Sequence, residues 1–88
     1  MNKEKLIEIL RQASTAHGDY ETNILNGVYD DNWPVWYAAY VVGALGIEVI
    51  RPAKLTRLLA LAHKAHQQED SKADWPTFYA DYIINNLT

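Results

Sequence analysis

Eighty-eight residues with a formal net charge of -3 and no cysteine fit a single domain, near the size at which folding buries only about 60% of the unfolded surface, with no disulfide or thiolate metal site to staple it. Stability must come from a dense core, which 49% hydrophobic residues, including three Trp, six Tyr and one Phe, can supply. The acidic balance offers no overall attraction for nucleic-acid phosphates or anionic lipid, no apolar stretch nears the ~20 residues of a membrane span, and Met1 to Lys5 leads into an amphipathic pattern without the apolar core of a signal peptide, so the expected setting is the cytoplasm.

From Lys3 onward, Leu6, Leu10, Ala13, His17 and Tyr20 recur at three- and four-residue steps opposite Glu4, Glu8, Arg11 and Gln12, which predicts an amphipathic first helix. Gly18 either ends it or lies inside a longer helix. Thr22 to Asn32 carries the turn formers Asn23, Asn26, Gly27, Asp30 and Asp31 and reads as a loop, and its apolar members Ile24, Leu25, Val28 and Tyr29 are expected to pack down. Asn32 before Trp33 and Pro34 suits the cap of a second helix running to about Leu45 and stopping at Gly46. The linker Ile47 to Ile50 is apolar enough to be buried, and its β-branched residues make a strand the competing assignment. Pro52 can open a third helix with the stripe Leu55, Leu58, Leu59, Ala62 and His66, and Asp74 before Trp75 and Pro76 repeats the capping pattern for a fourth helix that runs to near the C-terminus.

The chain repeats itself. Trp33, Pro34, Trp36, Tyr37, Ala38, Tyr40 and Val41 return as Trp75, Pro76, Phe78, Tyr79, Ala80, Tyr82 and Ile83, while Leu6, Leu10, Ala13, His17 and Glu21 return as Leu55, Leu59, Ala62, His66 and Asp70, with a spacer seven residues shorter in the second unit. This predicts one all-α domain over 1–88, a compact four-helix array of two tandem helical hairpins, one over about 3–46 and one over about 52–87, related by a pseudo-twofold axis with the aromatic positions turned to a shared core. The copies differ on the opposite face, where Val35, Ala39 and Gly43 of the second helix become Thr77, Asp81 and Asn85 of the fourth. A helix apolar nearly all round needs a cover on every side, either the linker folding back or a second copy of the protein, so a homodimer through helix 33–45 is expected.

No nucleophile elbow, zincin helix or glycine-rich phosphate loop is present, which leaves little for an enzyme beyond acid and base work by the histidines with Tyr37 or Tyr79. His17 with Glu21 and His66 with Asp70 each place an imidazole and a carboxylate four residues apart, a set that a divalent metal accepts if the pairs converge and that otherwise ties the hairpins shut. No cofactor is implied beyond that metal. Trp33, Trp36, Tyr37, Tyr29 and Tyr40 cluster around one helix start and could line an apolar pocket, with packing as the plainer account. Asp30, Asp31 and Asn32 lack the glycine and terminal Glu of a calcium loop and read as turn and cap residues. Arg51, Lys54, Arg57 and Lys64 form a basic run, expected to be solvated or paired with Asp30, Asp31 or Asp81; nucleic acid is a poor partner for so acidic a chain.

Ala16, His17, Tyr20 and Glu21, then Gly27, Val28, Tyr29 and Asp30, then Trp33, Pro34, Trp36, Tyr37 and Ala38 resemble a pattern found in small uncharacterised bacterial helical proteins with no assigned activity. The resemblance covers about the first half of the chain and transfers no catalytic residue. Such segments stand alone or are appended to larger enzymes, which implies an accessory role: a binding or interaction module, with a protein or small-molecule partner, or in the alternative a metal- or small-ligand-binding protein built on the paired histidines and carboxylates.

Overall fold

The three- and four-residue spacing of Leu6, Leu10, Ala13 and His17 is realised as one long helix. In the computed structural model, which describes residues 1–87, the elements are α1 (Lys3–Asn23), α2 (Trp33–Leu45), α3 (Pro52–Glu69) and α4 (Trp75–Asn85), with no strand among the described residues. Asn2 caps α1 through its side chain, which accepts the Lys5 N–H at 2.9 Å. Gly18 lies inside α1, and the reversal comes later, at Asn26 and Gly27 with φ of 55° and 82°. The left-handed region favours Gly and tolerates Asn, so this pair turns the chain back toward α2.

Asn32 and Asp74 stand directly before α2 and α4, but neither side chain makes a cap hydrogen bond. The Asn32 carbonyl already accepts Val35 N–H at 3.0 Å, and the Asp74 carboxylate is occupied by the Thr77 hydroxyl at 2.6 Å and the Arg11 guanidinium at 2.7 Å. Those two partners hold the Asp74 carboxyl below its ordinary range, the Thr77 hydrogen bond first and Arg11 after it. The expected cap has become a tie between α1 and the start of α4.

α1 packs against α2 and α4, α3 packs against the same two, and the backbones of the diagonal pairs stay apart, so the helices stand at the corners of a quadrilateral. Leu6, Leu10 and Ala13 of α1, Ala38 and Val41 of α2, Leu55, Leu59 and Ala62 of α3, and Ala80 and Ile83 of α4 fill its centre with almost no surface exposed. Burying each of these leucines is worth about 1.5–3 kcal/mol over leaving it in water. Repeat-related positions are buried alike, and small Ala38 and Ala80 let the helices close.

The apolar connectors behave otherwise than expected. Ile24, Val28 and Tyr29 are 66%, 64% and 67% exposed, and Leu25 is half-buried. In the linker, Gly46 (φ 98°) breaks the helical path and Val49 N–H returns to the Gly46 carbonyl at 3.1 Å, forming a turn that leaves Ile47 and Val49 exposed and buries Ile50 alone, ahead of α3. The linker is neither a strand nor a buried cover. Arg51, Lys54, Arg57 and Lys64 are exposed, with Lys54 donating to the Leu87 carbonyl, while Asp81 pairs with Lys3 at 2.7 Å. An ion pair this exposed is worth about 0–1 kcal/mol. Among the described residues no helix is long and apolar enough to cross a membrane.

Candidate functional site

The aromatic stripes of α2 and α4 and the histidine-bearing ends of α1 and α3 meet at one end of the quadrilateral around an open cavity of about 450 Å³. Trp33 and Tyr37, four residues apart on α2, face it, as do Trp75 and Tyr79 of α4. Successive rings stand steeply to one another: Trp33 to Tyr37 at 84°, Tyr37 to Trp75 at 75° and Trp75 to Tyr79 at 67°, with centroids 5.6, 6.1 and 4.9 Å apart. These are edge-to-face contacts, each adding about 0.5–1.5 kcal/mol beyond area burial.

Trp36 and Tyr40, also expected at this pocket, do not line it. They occupy the neighbouring stripe of α2, stacked on each other at 5.7 Å, and Trp36 packs its ring 4.9 Å from His17 and 5.8 Å from Tyr20 on the α1 side. A helix turns about 100° per residue, so Trp33 and Trp36 share a side of α2 without sharing a surface.

His17 forms one wall. It is only 6% exposed, and its Nε2 lies 2.8 Å from Asp30 Oδ2. A carboxylate can only accept, so Nε2 carries the proton. His17 Nδ1 is 3.8 Å from Glu21 Oε1, beyond hydrogen-bond length, while Glu21 Oε2 accepts the Asp30 N–H at 2.9 Å. Asp30 Oδ1 in turn accepts the Asn32 N–H at 3.0 Å. Asp30 is thus the pivot that binds the loop to α1 and aims the imidazole, a role beyond its expected part as a turn residue.

The other wall holds His66, and beside it His63, which sequence reasoning passed over. His66 donates Nε2–H to the Ala73 carbonyl at 2.7 Å and leaves Nδ1 as an acceptor, and Phe78 stands edge-on to its ring at 5.1 Å. Asp70 is not part of the site. α3 stops at Glu69, and Asp70 is its exposed C-terminal cap with φ -160°, whereas α1 continues through Glu21 to Asn23. The shorter second spacer removes the helical turn that would have carried Asp70 beside His66. His63 Nδ1 lies 2.7 Å from the Tyr79 hydroxyl, and Trp33 packs on the same imidazole at 5.2 Å. The only earlier sign of His63 was its position three residues before His66, one turn along the same face.

Burial, with smaller contributions from Tyr37 and Tyr29, pushes the Tyr79 phenol up to about 12. It therefore keeps its proton through the neutral range, and its hydroxyl shares one hydrogen bond with His63 Nδ1 in which the imidazole tautomer sets the donor. Burial also raises Tyr37; a Ser14 hydrogen bond opposes the rise and the Glu21 charge adds to it. Glu21 and Tyr37 line the same cavity. No buried side-chain polar atom among the described residues lacks a partner.

His17, Glu21 and His66 do reach one cavity, but among the described residues no group of three or more histidines and carboxylates is arranged to hold a metal ion. One ring nitrogen of each histidine is already engaged, and the fourth expected ligand, Asp70, points elsewhere. What the arrangement offers is an aromatic bowl with hydrogen-bonding rims. No family model matches the chain, and neither a curated protein nor a solved structure matches it.

Proposed function

We propose that this chain is a small helical binding module whose working site is the cavity between its two hairpins, occupied by a small ligand with a planar apolar body. The observation that carries this reading is a cavity of about 450 Å³ walled by Trp33, Tyr37, Trp75 and Tyr79, whereas a second one of about 560 Å³ beside the linker has no aromatic wall. Volumes of this order, mostly apolar with a few convergent polar groups, are those of small-molecule sites. Acid and base catalysis by His17 or His66 has less support, because each imidazole already holds a structural partner. The same reading treats the cavity as the seam between two copies of one ancestral hairpin; the paired contacts of His17 with Trp36 and His66 with Phe78, 4.9 and 5.1 Å apart at 62° and 68°, support it.

Trp36 provides the internal control for the test. On titration of isotope-labelled protein with the neutral fragment 2-phenylethanol, the indole N–H signals of Trp33 and Trp75 are expected to shift saturably while that of Trp36 stays in place. If no indole signal moves, or if Trp36 moves with the others, the cavity is not the binding site.

A second reading concerns the outside of α2. Val35 is 58% exposed, Ala39 and Gly43 are exposed, and nothing lies within 4 Å of where a Gly43 side chain would begin, so of the two covers considered for this face the linker does not supply one. Small residues four apart let a second backbone approach closely, which favours a homodimer through this helix. Wild-type protein should then sediment as a dimer and Ala39→Arg as a monomer of unchanged helix content. A wild-type monomer at high concentration would remove this reading.

A further inference from the structure

Among the described residues the cavity's fixed charge is a carboxylate, set in a ring of aromatic faces, and from this we infer that its ligand is an organic cation, an ammonium group carried on a planar apolar body. The inference rests on the cavity being the binding site. Among the described residues Glu21 is its one carboxylate, and beside three imidazoles neither Lys nor Arg contributes to its walls. Asp30 stands directly behind, within 2.8 Å of His17, so even an imidazolium at His17 faces two carboxylates and leaves this end net negative.

Glu21 is also the group with a hydrogen-bonding vacancy. Its Oε2 is engaged by the Asp30 N–H at 2.9 Å, while Oε1 has only His17 Nδ1 at 3.8 Å. An ammonium donor can take that oxygen, and a charged hydrogen bond in a partly buried site is about twice as strong as a neutral one. On the opposite wall, His66 presents an acceptor at Nδ1, since its Nε2–H is given to Ala73. The floor adds a second attraction. Aromatic faces carry negative quadrupole density, and the steep steps from Trp33 to Tyr37, Tyr37 to Trp75 and Trp75 to Tyr79 turn ring faces in more than one direction, while Trp33 and Tyr79 lie closer to parallel at 28°. An anion meets a fixed carboxylate and aromatic faces of the wrong sign, with neither Lys nor Arg to offset them.

Three probes of one shape and different charge separate these effects: phenethylammonium, neutral 2-phenylethanol and anionic 3-phenylpropanoate, all titrated at about pH 8, where an alkylammonium and a carboxylate both keep their charge. Dissociation constants come from the Trp33 and Trp75 indole shifts. The cation is expected to bind about tenfold more tightly than the alcohol, and the anion more weakly than both. Glu21→Gln, which keeps an oxygen for the Asp30 N–H, should reduce the cation's advantage to about threefold or less while leaving the alcohol within about twofold. Equal binding of cation and alcohol overturns the inference, as does tighter binding of the anion; both leave the cavity standing as a site. A cation preference that survives Glu21→Gln overturns the role given to Glu21. If none of the three probes moves Trp33 or Trp75, the cavity reading itself has failed, and the wild-type ranking decides the question even if the variant folds poorly.

Discussion

Replacing Asp30 with Ala should cost about 2 kcal/mol of stability, a large effect for a residue on a surface loop. Three bonds end on it: Oδ2 on His17 Nε2 at 2.8 Å, Oδ1 on the Asn32 N–H at 3.0 Å, and its own N–H on Glu21 at 2.9 Å. The backbone bond survives the substitution; the two to the carboxylate do not. Asn32 is exposed and its N–H can turn to water. The His17 ring cannot, because it is almost wholly buried between Trp36 and Tyr37, and a buried donor left without an acceptor costs about 1–3 kcal/mol. For a domain of this size that lowers Tm by about 8–16 °C. Asp30→Asn should fall between, since its single carbonyl oxygen can serve His17 or Asn32 but not both. Asp31→Ala, one residue on and exposed, should stay within about 0.5 kcal/mol of wild type. Thermal melts of the three variants test the clasp, and faster proteolysis between Asn23 and Asn32 in the Ala variant should accompany the loss. Equal melting of the Asp30 and Asp31 variants would show that the loop is not held this way.

Leu59→Ala should be the most damaging single truncation, at about 3 kcal/mol, with a range of about 2–5 for buried leucines. Leu59 is 0% exposed at the centre of the quadrilateral, where α3 meets both α2 and α4. The lost side chain leaves both its transfer free energy and a hole that surrounding helices close only in part. A chain of this length is expected to have a total stability of about 4–13 kcal/mol, so one substitution removes a substantial share. The control lies two positions further along the same helix. Leu61 is 40% exposed, and Leu61→Ala should change stability by about 0.5 kcal/mol or less. Denaturant unfolding of both variants gives the comparison directly, and similar losses would mean that Leu59 is not at the core.

The fold was legible where one physical signal dominated. Leu6, Leu10 and Ala13, and again Leu55, Leu59 and Ala62, show a period that only a helix turns to one side, and all six are buried. Pro34 and Pro76 mark two helix starts correctly because a missing N–H is harmless there. Composition misled in the connectors. Ile24, Val28, Ile47 and Val49 are apolar, yet burial depends on whether another element lies over them, and the turns at Gly27 and Gly46 carry them outward.

The site was half legible. His17, Glu21, His66, Trp33, Tyr37 and Tyr79 were singled out and do meet at the cavity, because repeated helical spacing put them on the inner faces. Asp70 was lost through a helix ending one residue before it, and Trp36 through the step between adjacent stripes. His63 and the clasp at Asp30 belong to contacts across the chain, sixteen and thirteen residues apart, which no local spacing encodes.

Sequence alone determined that this protein is helical, where its four helices lie and which side of each is apolar, since these follow from periodicity and backbone chemistry within a few residues. Only tertiary structure decided that the histidine-bearing ends converge on an open aromatic bowl, that Asp30 and Tyr79 orient the imidazoles, and that the outer side of α2 stays bare. Those outcomes depend on the directions in which separate helices approach, and such directions are set by the packing of the whole core.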